Sequence, residues 1–307
     1  MAYSFNKKLA LLLILIFFLI MVYLGSFFFS TEANLRNSSY TWLDSRFVPL
    51  ADRIEIYGLK GSIILLRKNN TWVISHGNND YPVKPLRVEE LFRDLSRRKN
   101  YPLRSTTSAP ETFGLAKGVS RIIVRGGVGL PLLDLLIGFT DVSGRELFLR
   151  KAGQKEIRSG EDIFTIYTES DDRFWYDLRI FPGLSPSMVQ RIHCFPLSTG
   201  ESPFTLSRKN NGWIIENTVF PVLRVESWLR SIIEAQGENF VDSMDWETVG
   251  TMVLELEDGS ARILRISPPD AQGSRIAAVS GSPFAYSLSE WTIRRIWDSS
   301  FYTIELP

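Results

Sequence analysis

The sequence predicts an α+β protein: an N-terminal transmembrane helix followed by two duplicated modules, each an antiparallel β-sheet with a packed helix. Three observations lead there. An eight-residue phrase is written twice, an amphipathic helix pattern follows each copy, and an uncharged apolar run stands near the N-terminus.

The apolar run covers residues 9–29, 21 positions rich in Leu, Ile and Phe without one charge. A helix of that length is about 30 Å long, the thickness of a bilayer's hydrocarbon core. Lys7 and Lys8 precede it, so the positive-inside rule leaves a short cytoplasmic N-terminus and sends the bulk of the chain outside. A cleaved signal peptide competes for the same residues. Its apolar core runs about 7–15 residues and ends at a small-x-small site, whereas here Gly25-Ser26 leads into Phe27-Phe28-Phe29. The expectation is therefore a cytoplasmic stub and anchor over residues 1–30, in the bacterial cytoplasmic (inner) membrane as a single pass. A polar spacer follows over residues 31–52.

The repeated phrase is Arg67-Lys68-Asn69-Asn70-Thr71-Trp72-Val73-Ile74, returning as Arg208-Lys209-Asn210-Asn211-Gly212-Trp213-Ile214-Ile215. Six of eight positions agree at a separation of 141 residues. In each copy an apolar β-branched run precedes the Lys-Asn-Asn turn and resumes after it, which reads as strand, turn, strand. Tyr81-Pro82-Val83 is matched to Phe220-Pro221-Val222. Helical spacing follows, Val88, Leu91, Phe92 and Leu95 in one copy and Val225, Trp228, Leu229, Ile232 and Ile233 in the other.

More strands come after each helix. Arg121-Ile122-Ile123-Val124 turns at Gly126-Gly127 into Leu132–Ile137, and Glu146–Arg150 is expected to pair with Ile163–Tyr167. Met252–Glu257 turns at Asp258-Gly259 into Ala261–Ile266, a strong hairpin signal. Trp175 and Trp291 mark similar closing segments. With a hinge at Pro182–Pro186, the modules are expected over residues 53–185 and, trimmed, over 186–307.

Composition excludes more than it assigns. The 35 basic and 34 acidic side chains balance, which gives no footprint for nucleic acid, and the single Cys194 forbids an intrachain disulfide. Gly126-Gly127-Val128-Gly129 lacks the Lys and Ser/Thr of a phosphate-binding loop, so it reads as a hairpin turn. His76 and His193 are the only histidines; neither they nor the acidic groups Glu169-Asp171-Asp172 and Glu255-Glu257-Asp258 show ligand or triad spacing. The basic residues Arg93, Arg97, Arg98 and Lys99 complement a helix C-terminus. No catalytic residue, metal or cofactor is expected. The candidate ligand or partner surface is Trp72 and Trp213 with the turn residues Asn70 and Asn211, although an aromatic just after a hairpin turn ordinarily packs on cross-strand neighbours.

The order of these pieces resembles a known family. A hairpin ending in Trp, a Pro-led helix, Phe113-Gly114-Leu115 before a β-hairpin, then Tyr167 and Trp175-Tyr176-Asp177-Leu178-Arg179 are similar to bacterial membrane-anchored domains of unknown function found beside ABC transporters of the gliding-motility type. The resemblance implies a non-enzymatic, extracytoplasmic accessory of an ABC-type export or envelope-assembly complex, with a permease or auxiliary subunit as partner. A glycan- or lipid-binding module is the alternative, and an envelope hydrolase the third reading.

Overall fold

The structure is a computed structural model that describes residues 14–23, 39–106, 109–116, 119–195, 197, 202–209, 212–215, 218–242 and 245–297. It divides into two compact units, Met1–Tyr176 and Asp177–Pro307. Helix α1 covers residues 14–23.

In the first unit, β1 (Ser39–Tyr40) is followed by β2 (Ala51–Gly58), β3 (Gly61–Lys68), β4 (Thr71–His76) and β5 (Asn79–Pro82), then helix α2 (Pro85–Ser96). Next come β6 (Lys99–Asn100), β7 (Leu103–Ser105), β8 (Ser120–Gly126), β9 (Leu130–Thr140), β10 (Glu146–Lys151) and β11 (Ile157–Glu161). Short helices α3 (Thr165–Thr168) and α4 (Asp172–Trp175) close the unit. Nine strands form one antiparallel sheet in the order β5-β4-β3-β2-β8-β9-β10-β11-β7, and β1 pairs with β6 in a two-stranded sheet.

Sequence dictates this locally. The β3–β4 turn needs left-handed backbone, and Asn69 (φ 49°) and Asn70 (φ 67°) supply it, since their short polar side chains tolerate that region. Alternation along β2 sends Ile54 and Ile56 to one face, where they are sealed together with Leu65, Ile122, Val124, Leu135 and Leu149. Helix α2 adds its stripe of Val88, Leu91, Phe92 and Leu95 to the core. Each such side chain contributes about 1.5–3 kcal/mol on burial.

The second unit runs β12 (Val189–Phe195), β13 (Phe204–Lys209), β14 (Gly212–Ile215), β15 (Thr218–Phe220), helix α5 (Val222–Ile233), β16 (Asn239–Val241), β17 (Gly250–Leu256), β18 (Ala261–Ile266), β19 (Arg275–Val279), β20 (Ala285–Leu288) and helix α6 (Glu290–Ile296). Its sheet has the order β15-β14-β13-β12-β17-β18-β19-β20-β16. That is the order of the first sheet, strand for strand, with the helix in the same place in the chain. Even the irregularity at the start of the central strand recurs, between Ala51 and Arg53 and between Val189 and Arg191.

Three sequence expectations need correction. The protein is mostly β, with three antiparallel sheets, rather than α+β. Strands of three to five residues such as β5, β7, β11, β15 and β16 are too short for periodicity to reveal, and they widen each sheet while the helix stays at twelve residues. Second, no helix among the described residues is long and apolar enough to cross a membrane. Helix α1 is described over ten residues, about 15 Å against a core of about 30 Å, so the single-pass anchor and the inner-membrane location it implied are not supported; residues 9–13 and 24–29 of the expected span lie outside the described residues. Third, β10 pairs with β11 and not with Ile163–Tyr167, which enters α3.

Gly58 marks a point where backbones meet. A Cβ there would lie 1.5 Å from the Thr168 carbonyl oxygen, and main chain cannot step aside as a flexible side chain can. Gly58→Ala is expected to destabilise the first unit by about 3 kcal/mol, read as a lowered urea midpoint. Gly212→Ala, whose nearest neighbour is at 3.5 Å, leaves the midpoint nearly unchanged.

Candidate functional site

The two sheets share a scaffold, so positions can be matched through strand register and their side chains compared. The hairpin pairs Arg67 with Trp72 and Arg208 with Trp213. Helices α2 and α5 both carry Leu-Arg-Val-Glu in their first turns, Leu86–Glu89 and Leu223–Glu226. This second repeat lies at a separation of 137 residues rather than the 141 of the hairpin phrase, so Phe220 matches Val83, both buried, and not Tyr81. It brings an Arg, a Trp and a Glu to equivalent places in each unit.

In the second unit these three side chains close on one another. The Arg208 guanidinium lies 4.7 Å from the centre of the Trp213 ring and pairs with Glu226 at 2.8 Å. The Trp213 indole N–H donates to the same carboxylate at 2.9 Å. Arg208 also donates to the carbonyls of Val189 and Pro186, and Trp213 is sealed at 1% exposure. In the first unit the set stays open. Arg67 donates to the Pro49 carbonyl (3.1 Å) and to Asn70 Oδ1 (2.9 Å), while Trp72 is half-buried beside Phe92, with ring centres 6.0 Å apart. A cleft of about 280 Å³ remains, walled by Arg67, Asn70, Trp72, Pro85, Glu89 and Phe92 among others.

The opposite face of each central strand carries charge. Glu55, flanked by inward Ile54 and Ile56, is only 6% exposed. It accepts from Arg53 (2.7 Å), Arg125 (2.8 Å) and the Tyr57 hydroxyl (3.0 Å). Burial works to raise its pKa, but the hydrogen bonds from Arg125, Arg53 and Tyr57 prevail and hold it below the ordinary glutamate value. At the matching positions of the second unit His193 stands for Glu55 and Glu255 for Arg125, while Arg191 keeps the place of Arg53. There His193 Nε2 lies 2.9 Å from Glu255 and its Nδ1 2.9 Å from the Thr205 hydroxyl. The hydrogen bond from His193 is the main cause holding Glu255 below its usual pKa. This chain of Thr, His and Glu has the order of a nucleophilic relay. Thr205 sits on β13 between two paired strands, where backbone N–H groups serve the ladder rather than converge on an oxyanion.

A larger cleft, about 830 Å³, opens at one end of the first sheet. Leu115, Ala116, Val119 and Leu136 give it apolar walls, and Arg121 and Arg150 give it two guanidinium groups. Arg121 is clamped to Asp134 by two bonds, Nε at 2.6 Å. Arg150 donates one bond to the Leu115 carbonyl, its Nε is buried without a partner, and among the described residues no carboxylate pairs with it. Register places Thr251 and Ala278 at the equivalent positions of the second unit, with Arg265 in the place of Leu136, so this pair of guanidinium groups is not repeated there.

Of the residues singled out from sequence, Trp72 and Asn70 line the small cleft and Trp213 is buried, while Asn211 lies outside the described residues. Asn70 serves twice, in the turn and as the acceptor that draws Arg67 aside. His76 pairs with Asp172 at the surface, and Cys194 is buried. No group of three or more His, Cys, Asp or Glu among the described residues could hold a metal ion. Sequence reasoning passed over Glu89 and Glu226, which the repeated Leu-Arg-Val-Glu could have revealed, and Arg121 and Arg150, which no pattern marks. Comparison with protein-family models, curated proteins and solved structures finds no match to this chain.

Two measurements follow from these networks. Trp213→Ala removes a sealed ring and leaves Glu226 and Arg208 without it, and is expected to cost about 4 kcal/mol in urea unfolding. Trp72→Ala costs less than half of that. For Glu55, a lowered folded-state pKa contributes stability that is present above the ordinary glutamate pKa and is lost as pH falls through the folded value. Glu55→Gln is therefore expected to cost about 3 kcal/mol at pH 7, with the gap to the parent chain shrinking steadily toward pH 3.

Proposed function

We propose that this chain is a non-enzymatic binding protein, an auxiliary component of an export or envelope-assembly complex, whose first unit takes up an anionic ligand with an apolar body. The unneutralised Arg150 on the wall of the 830 Å³ cleft carries this reading. A buried or half-buried guanidinium without a carboxylate is unfavourable unless something supplies the missing charge. The walls of Leu115, Ala116, Val119 and Leu136 favour an aliphatic or aromatic body behind that charge. A lipid-like acid meets both conditions. The resemblance to domains beside ABC transporters supports a permease or its auxiliary subunit as the partner. The divergence of two like sheets supports one unit for the ligand and leaves the other free for assembly.

The test uses the full chain and the fluorescent anion anilinonaphthalene sulfonate, displaced by decanoate or by decanol. Decanoate is expected to displace the dye from a single saturable site, decanol at least tenfold less well. Arg150→Met should weaken decanoate about tenfold, a loss of about 1.4 kcal/mol, at an unchanged urea midpoint. Equal displacement by acid and alcohol, or an unchanged affinity in the variant, removes the proposal.

A further inference from the structure

A second site, independent of the large cleft, emerges when the closed Arg–Trp–Glu set of one unit is laid against the open set of the other. The second unit displays what the arrangement accommodates. A guanidinium fits face-on over the Trp213 indole, 4.7 Å from the ring centre, while Glu226 takes its charge at 2.8 Å. A cation over an aromatic face, with a carboxylate at its edge, satisfies both the ring quadrupole and the planar donors of arginine.

The first unit keeps the receiving half of that arrangement and diverts the half that fills it. Trp72 and Glu89 occupy the places of Trp213 and Glu226, one on the hairpin and one in the first turn of the helix. Arg67, however, is held by the Pro49 carbonyl at 3.1 Å and by Asn70 Oδ1 at 2.9 Å. Unlike Arg208, it neither stacks on its Trp nor pairs with its Glu. The Trp72 indole N–H and the Glu89 carboxylate are left without protein partners among the described residues, both on the wall of the same 280 Å³ cleft. Val48, Pro49, Val88 and Phe92 complete the cleft with apolar surface.

We infer that this cleft is a docking slot for an arginine side chain of a partner polypeptide, which takes the place over Trp72 and against Glu89 that Arg208 holds over Trp213 and against Glu226. Size argues for a side chain rather than a free cofactor: pockets that enclose small molecules run from about 300 to 1,000 Å³, and this one lies below that range. Surroundings argue for a polypeptide. Leu86, in the same first turn as Glu89, is 56% exposed beside exposed Pro85, an apolar lip on which residues flanking the arginine can rest. Asn70 has a defined part, because its hold on Arg67 keeps the chain's own guanidinium out of the slot.

The experiment uses the full chain labelled with 5-fluorotryptophan and follows the fluorine resonances, with the Trp72 signal assigned from Trp72→Phe. Two probes are titrated, acetyl-argininamide and the capped tripeptide Gly-Arg-Gly, with the same tripeptide carrying citrulline as the neutral isostere. The Trp72 signal is expected to shift saturably with the arginine tripeptide and at least fivefold less with the citrulline one, while the Trp213 signal stays still. Glu89→Gln, an exposed position, should abolish the shift without moving the urea midpoint. Asn70→Ala should weaken it by releasing Arg67 into the slot, and the double variant with Arg67→Met should restore it. No saturable shift, equal shifts with citrulline, or a full shift in Glu89→Gln overturns the assignment. A shift with argininamide but none with the tripeptide overturns it in favour of a free guanidinium compound.

Discussion

In each unit the strand that comes first in the chain within the nine-stranded sheet lies inside it between two antiparallel neighbours, and its register governs everything built around it. Strand β2 pairs with β3 and β8, and β12 with β13 and β17. One side of that strand is sealed core, Ile54 and Ile56 or Ile192 and Cys194; the other bears the polar groups Glu55 or His193. Because side chains alternate, a slip of one residue would drive those polar groups into the core and the apolar side chains out. The bulge shared by both copies, just before Arg53 and Arg191, absorbs one residue and pins the frame. The hairpins, the helix entry and both clefts of the first unit take their positions from it.

The parts of the fold that could be read in the chain are those whose pattern exceeds the noise of a single sequence. The Asn-Asn turn has a stereochemical cause, and the stripe from Val88 to Leu95 has a period. Strands of three residues have neither. Residues 163–167 look like a strand because Ile, Phe, Thr and Tyr favour one, yet Phe164 and Tyr167 are buried at the start of a short helix instead; tertiary burial outweighed local preference.

The site was legible in proportion to its dependence on duplication. Trp72 and Asn70 stand out because the phrase around them is repeated. Glu89 could be found by the same logic once the four-residue change in the link before the helix is allowed for. Arg150 could not, because nothing in its neighbourhood recurs and its significance rests on its having no paired carboxylate among the described residues. The two copies thus share apolar contacts and differ in how polar valences are spent. Glu55 with its arginines and Glu255 with His193 and Arg191 are two answers to one geometric problem, with the carboxylate on a different strand in each unit. The open Trp72 and the closed Trp213 are a third contrast of the same type.

Cys194 is the chain's only thiol, and it is fully buried on the inner side of β12. A thiol-specific reagent can reach it only through openings of the second sheet. The labelling rate in native buffer is therefore a clock for that unit alone, silent to any breathing of its twin. Two modules of the same topology, ordinarily inseparable by circular dichroism or bulk fluorescence, are distinguished by one sulfur atom that nature placed in only one of them.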